Sequence, residues 1–167
     1  MDLRLPLAFI ASRRPIRGKK AFQKLAYFSR TLQMPINCSF SMYLYGPYSN
    51  EVAVEHSDMI ASGLLLERDD NVLEKGASLE EYLKDHSREI NDYSAQLEKL
   101  DKCFGSMPPW KLELYATTHF LATSAKRIGK EFEEEDAVRE VRKAKGGKFR
   151  SEEIGKAFRD LEAWELF

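Results

Sequence analysis

Glycine and proline divide this chain before any other signal does. Pro35, the pair Gly46-Pro47, Gly63, Gly105 followed by Pro108-Pro109, and the pair Gly146-Gly147 each stop or turn the backbone. Proline lacks a backbone donor and fixes φ, while glycine reaches conformations closed to other residues. The pieces between these positions are short helices or strands, and the hydrophobic period of each decides which. With 167 residues, 43% of them apolar, and a net charge of −1, the pieces suffice for one packed domain without staples.

Met1 to Ala11 holds an apolar run broken by Arg4 and Pro6 and followed by Arg13-Arg14-Pro15. That predicts a first core helix rather than a secretory leader. Residues 17–33 place Phe22, Leu25, Ala26, Ser29 and Leu32 on one face of a second helix. After Pro35, residues 38–45 alternate imperfectly and predict an extended segment, with Gly46-Pro47 as its turn. Ser49 caps a helix over 50–61, with Glu51 in its first turn, and Gly63 ends it. Leu64 to Leu66 and Asn71 to Leu73, joined by a charged turn, predict a short hairpin.

Ser78 with Glu81 forms a capping-box pattern and opens a long helix. His86, Ile90, Tyr93, Leu97, Leu100 and Phe104 form a narrow heptad-like seam along it. The seam suits another helix of this chain or a second copy, so a homodimer through residues 79–104 is one expectation. Residues 110–125 are apolar on almost every side and belong in a core. Two amphipathic helices follow, separated by Gly146-Gly147, with Ser151 capping the last. This order predicts a winged helix-turn-helix over residues 1–76 with a small β-hairpin wing. An all-helical bundle over residues 77–167 follows it, making a mainly α fold with minor β.

Chemistry is sparse. His56, His86 and His119 are far apart and no paired-cysteine pattern exists, so no metal is assigned. His119, inside the apolar helix, reads as a hydrogen-bonded core residue. Gly146-Gly147-Lys148-Phe149 lacks the upstream glycine and the Ser/Thr of a phosphate loop and reads as a helix end. No serine stands in a nucleophile elbow, and neither Cys38 nor Cys103 has a catalytic signature. The expectation is a protein without catalytic residues or cofactor. Two unpaired cysteines suit a reducing cytoplasm, and no run reaches the ~18 apolar residues of a spanning helix, which argues against a membrane partner.

Charge is informative because it is uneven. Residues 1–50 hold eight basic side chains against Asp2 alone, whereas residues 51–101 hold five basic and fourteen acidic ones. Arg13, Arg14, Arg17, Lys19, Lys20 and Lys24 gather at the start of the second helix, where the helix dipole adds positive potential. These six, with Tyr45, Gly46, Pro47 and Tyr48 at the corner, are the candidate partner-binding residues. The alternative is that the two charge blocks face each other, within the fold or across a dimer, and neutralise one another. The helix 50–61, which would read a DNA groove in a winged helix, carries Glu51, Glu55 and Asp58 and no Arg or Lys. The wing tip carries Asp69 and Asp70. Phosphates are repelled by both elements. An acidic protein face is therefore the first expectation and nucleic acid the second.

Two stretches are familiar. Lys19-Lys20-Ala21-Phe22-Gln23-Lys24-Leu25-Ala26-Tyr27-Phe28 is similar to the lysine-rich second helix of the YwgA-like family, and Tyr45-Gly46-Pro47-Tyr48-Ser49 resembles that family's corner. The tail from Leu112 through Ile154 also looks like its C-terminal helices. The Panacea domain has a looser version of the helix and the corner. The resemblance implies a winged-helix protein that acts by binding another protein, a toxin or a regulatory target, as an antitoxin or adaptor.

Overall fold

A computed structural model describes residues 1–167. Helix α1 (Arg4–Arg13) is buried over Leu5 to Ala11 and leads into the two-residue strand β1 (Ile16–Arg17) and helix α2 (Gly18–Thr31). A small antiparallel hairpin, β2 (Ser41–Tyr43) and β3 (Gly46–Tyr48), precedes helix α3 (Asn50–Ala61). The Ser49 hydroxyl accepts from the Val52 N–H at 3.3 Å, the N-cap expected there. Strands β4 (Leu65–Glu67) and β5 (Val72–Lys75) form the wing. β1 pairs with β5 in a three-stranded antiparallel sheet of order β1-β5-β4, with Ile16 opposite Leu73 and Leu66 opposite Glu74. Helix, strand, helix, helix and hairpin, closed by the short first strand, is the winged helix-turn-helix that the segment order predicts.

The second half is helical throughout. It runs α4 (Leu79–Asp85), α5 (Ser87–Asp92), α6 (Ser94–Leu100), one π-helical turn over Asp101–Gly105, α7 (Pro109–Arg127), α8 (Glu134–Lys145) and α9 (Ser151–Ala163). No helix is long and apolar enough to cross a membrane. α7 is the central element, packed against α2, α8, α9 and β3. That position is the reason for its all-round apolar surface. One continuous core unites both halves, and Phe28 of α2 stacks on Phe104 of the π turn with ring centroids 3.7 Å apart.

Two expectations are corrected. The helix opened by Ser78 is not continuous to Phe104. It breaks at His86 (φ −100°, ψ 17°) and Tyr93 (φ −114°, ψ 23°). A straight helix over those residues would be about 39 Å long, more than the width of a small domain. The breaks bend it around the body, so that Leu79, Leu97, Leu100 and Phe104 are all fully buried. The C-terminal half of the seam, Leu97, Leu100 and Phe104, is thus taken up by this chain's own core, while His86, Ile90 and Tyr93 are half-buried. The second correction concerns the corner. The turn falls at Leu44-Tyr45, and Gly46 and Pro47 are strand residues opposite Tyr43 and Met42. Pro47 has no N–H to leave unpaired at this sheet edge, and Gly46 at φ +87° redirects the chain into β3.

Candidate functional site

The cationic block of the first fifty residues is divided by the fold. Arg13 donates to Glu98 Oε2 at 2.8 Å and to Asp101 Oδ2 at 3.1 Å, and Arg14 Nη2 lies 3.2 Å from Asp101 Oδ2. These two arginines clamp the π turn, and the anionic middle of the chain neutralises them. Lys24 is 2% exposed, and its ammonium donates to the Pro47 carbonyl at 2.6 Å. Lys20 is half-buried, 3.1 Å from Glu113 Oε2. Arg17 and Lys19 remain exposed and form no ion pair. The continuous six-residue patch expected from the sequence is therefore not formed, because four of its members have partners inside the fold.

Those partners build a different site around the corner. Gln23 Nε2 donates to the Ser49 carbonyl at 2.9 Å, and the Ser49 N–H donates to Gln23 Oε1 at 3.0 Å. Lys145, the last residue of α8, donates to the Leu44 carbonyl at 2.6 Å. Side chains from α2 and α8 thus hold the backbone at residues 44, 47 and 49. Gly46 lies flat on α7: a Cβ there would come 2.7 Å from Thr117 Oγ1, a buried hydroxyl without a hydrogen-bond partner. Held this way, the tip turns Tyr43, Leu44 and Tyr45 outward, 67%, 71% and 50% exposed. Tyr48 is half-buried, its ring 5.5 Å from that of Tyr43. Gly46 and Pro47 are buried beneath.

The anchor of the arrangement is Glu113 of α7, which is fully buried. Both its oxygens accept from Lys148 at 2.8 Å, and Lys145 lies 3.1 Å from Oε1. Burial pushes this carboxyl up, but hydrogen bonds from Lys148, Lys20 and Lys145 outweigh it and hold it below the ordinary carboxylate range. Three ammonium groups contact this one carboxylate, and Lys24 lies within its electrostatic reach. Burial pushes Lys24 down to about 7 and lowers Lys145 as well. Lys20 and Lys148 sit 4.1 Å and 5.3 Å from the centre of the Tyr45 ring, so a cationic rim surrounds the exposed tip.

Sequence reasoning missed Glu113, Lys145 and Lys148. Glu113 is the one acid between Pro109 and Arg127. A lone carboxylate in a helix that is apolar all round requires a cation, and that was the available signal. Gly146 at φ +60° ends α8, the helix end expected there, and the same turn delivers Lys148.

The other sequence candidates have local explanations. On α3, Glu51 accepts from the hydroxyls of the cap residue Ser49 and of Ser39, and Glu55 lies 3.4 Å from Arg4. Asp58, Asp69 and Asp70 are exposed, and Arg68 of the wing pairs with Glu74 at 2.8 Å. His56 is buried edge-on against Phe22. His119 is the expected hydrogen-bonded core residue: its Nε2–H donates to the Leu166 carbonyl at 2.8 Å, and the Tyr27 hydroxyl donates to its Nδ1 at 2.6 Å. Burial lowers this imidazole to about 4 and raises the Cys38 thiol to about 11. Compared with known proteins, the chain matches no family model and no curated protein.

Two outcomes follow from this geometry. Gly46→Ala should destabilise the fold by about 1 kcal/mol or more, through the positive φ and the contact with Thr117. Urea titration would check it, and a midpoint equal to wild type would contradict the close approach. Lys24 gives a pH signature. The unfolded chain holds this proton to about its ordinary 10.5, while the folded chain releases it near 7. Across that window the unfolded state binds more protons, so this lysine makes stability rise with pH. Urea titrations at pH 7, 8 and 9 should show a rise in wild type that is reduced in Lys24→Met.

Proposed function

We propose that this protein is a non-enzymatic interaction module of the antitoxin or regulatory-adaptor type. It binds the acidic face of a partner protein through the tip Tyr43-Leu44-Tyr45 and the basic rim around it. The observation that carries the reading is the exposure of three consecutive large side chains on a backbone held by buried Gln23, Lys24 and Lys145. Water gives no reason to present such a tip rigidly. Aromatic anchors ringed by cations are the chemistry of a protein-binding hot spot, with pre-organisation limiting the ordering entropy lost on binding. Lys20 and Lys148 flank the tip, and Lys19 lies beside Tyr48 in the same surface cleft, so an acidic partner is favoured.

In this reading Tyr45, Tyr48, Arg17, Lys19 and Lys20 meet the partner. Gly46, Pro47 and Lys24 set the tip from beneath, and Arg13 and Arg14 brace the π turn. The partner is a toxin or regulatory target of the reducing cytoplasm, where Cys38 and Cys103 stay free. Duplex DNA is disfavoured because α3 and the wing tip, the elements a winged helix lays on DNA, are acidic.

A photo-crosslinking residue at position 44 tests this, with one at position 69 on the wing as control. The first should join a protein partner and the second should not. Tyr45→Ala should abolish the adduct. Arg17→Glu with Lys19→Glu, at positions free of ion pairs, should slow association and weaken its salt dependence while leaving the melting temperature unchanged. Tight, sequence-selective binding of duplex DNA at physiological salt, read by fluorescence anisotropy, would overturn the reading in favour of a transcriptional regulator.

A further inference from the structure

Further along the same face of α7, where its last turn meets that of α2, lies a cavity of about 420 Å³. That is within the size range of small-molecule sites. Tyr27, Phe40 and Phe120 form its apolar wall, with the Tyr27 and Phe40 rings edge to face at 5.2 Å. Arg30 and Arg127 stand on its rim, and no carboxylate lines it. Glu51, bonded to Ser39 behind the wall, is engaged in the cap of α3.

The two arginines are the informative feature. Each lies in the last turn of its helix, where a cation offsets the carbonyl dipole. That accounts for a positive charge at each helix end. It does not account for both facing one aromatic-walled cavity, neither in an ion pair. Arg30 donates only to the Cys38 carbonyl, and Arg127 makes no hydrogen bond or ion pair within the protein. The Ser124 hydroxyl also opens on the cavity without a partner in the chain. At the floor lie Tyr27 and His119, each more than nine-tenths buried. Because the Tyr27 hydroxyl gives its proton to His119 Nδ1, its oxygen presents a lone pair that can accept from a ring N–H or amine.

We propose that this cavity binds a small planar anion, a heteroaromatic ring bearing a phosphate or a carboxylate. The ring lies against Phe40 and Phe120, and the charge sits on Arg30 and Arg127. Guanidinium groups favour such anions because they donate paired, charge-assisted hydrogen bonds. The site shares no lining residue with the tip, although Phe40 directly precedes β2, and the proposal does not depend on what the tip binds.

Isothermal titration of the full chain with adenosine monophosphate, nicotinate, adenosine and inorganic phosphate tests it. At least one of the first two should bind below about 1 mM, and which one does distinguishes phosphate from carboxylate. Adenosine and inorganic phosphate should each bind about tenfold more weakly or worse, lacking the charge or the ring. Arg127→Ala should reduce affinity about tenfold or more with no change in melting temperature, since Arg127 holds nothing else in place, and Arg127→Lys should restore part of it. Absence of binding by both ring-bearing anions, equal binding of inorganic phosphate, or unchanged affinity in Arg127→Ala would each overturn the proposal.

Discussion

The buried carboxylate of Glu113 organises one whole side of this molecule. A charge without solvent must be paired, and removing one partner of such a pair leaves the other stranded at a cost of several kcal/mol. Here three lysines answer one glutamate, each from a different place: Lys20 from the start of α2, Lys145 from the end of α8 and Lys148 from the turn before α9. The carboxylate therefore ties the winged half of the chain to the helical half. The same lysines reach further. Lys145 also holds the Leu44 carbonyl, and Lys20 and Lys148 face the Tyr45 ring. The exposed tip is an outer consequence of an inner charge.

The charge is distributed over the winged-helix frame in an uneven way. In a DNA reader, α3 and the wing would carry the cations. Here Glu51, Glu55, Asp58, Asp69 and Asp70 occupy those elements, and cations gather instead at the start of α2 and in the α8–α9 turn. The small β2–β3 hairpin, inserted between α2 and α3, becomes the most prominent feature beside them. Its rigidity comes from side-chain grips on carbonyls at residues 44, 47 and 49, since two three-residue strands hold little on their own.

What could be read from the sequence divides along the range of the forces. The N-cap at Ser49, the wing over residues 64–74, the end of α8 at Gly146 and the core placement of α7 rest on local propensity and period, and these were legible. The bends at His86 and Tyr93 were not. A seam stepping by three and four is the same whether the helix is straight or broken, and only the curvature of the body decides. The corner was legible in kind, since glycine and proline mark a turn, but not in register. The choice of Leu44-Tyr45 depends on Lys24 and Lys145, which lie 20 or more positions away in the sequence. The basic block was legible as charge, yet its pairing with Glu98, Asp101 and Glu113 belongs to tertiary structure.

The central claim is that the buried charge cluster fixes the tip. Amide hydrogen exchange in Glu113→Gln, compared with wild type, tests it most directly. Gln keeps the shape of the side chain but removes the charge that gathers Lys20, Lys145 and Lys148. The account predicts faster exchange over Tyr43–Tyr48 with unchanged exchange in the β1-β5-β4 sheet. Unchanged protection across the hairpin, or loss spread evenly over both, would contradict it.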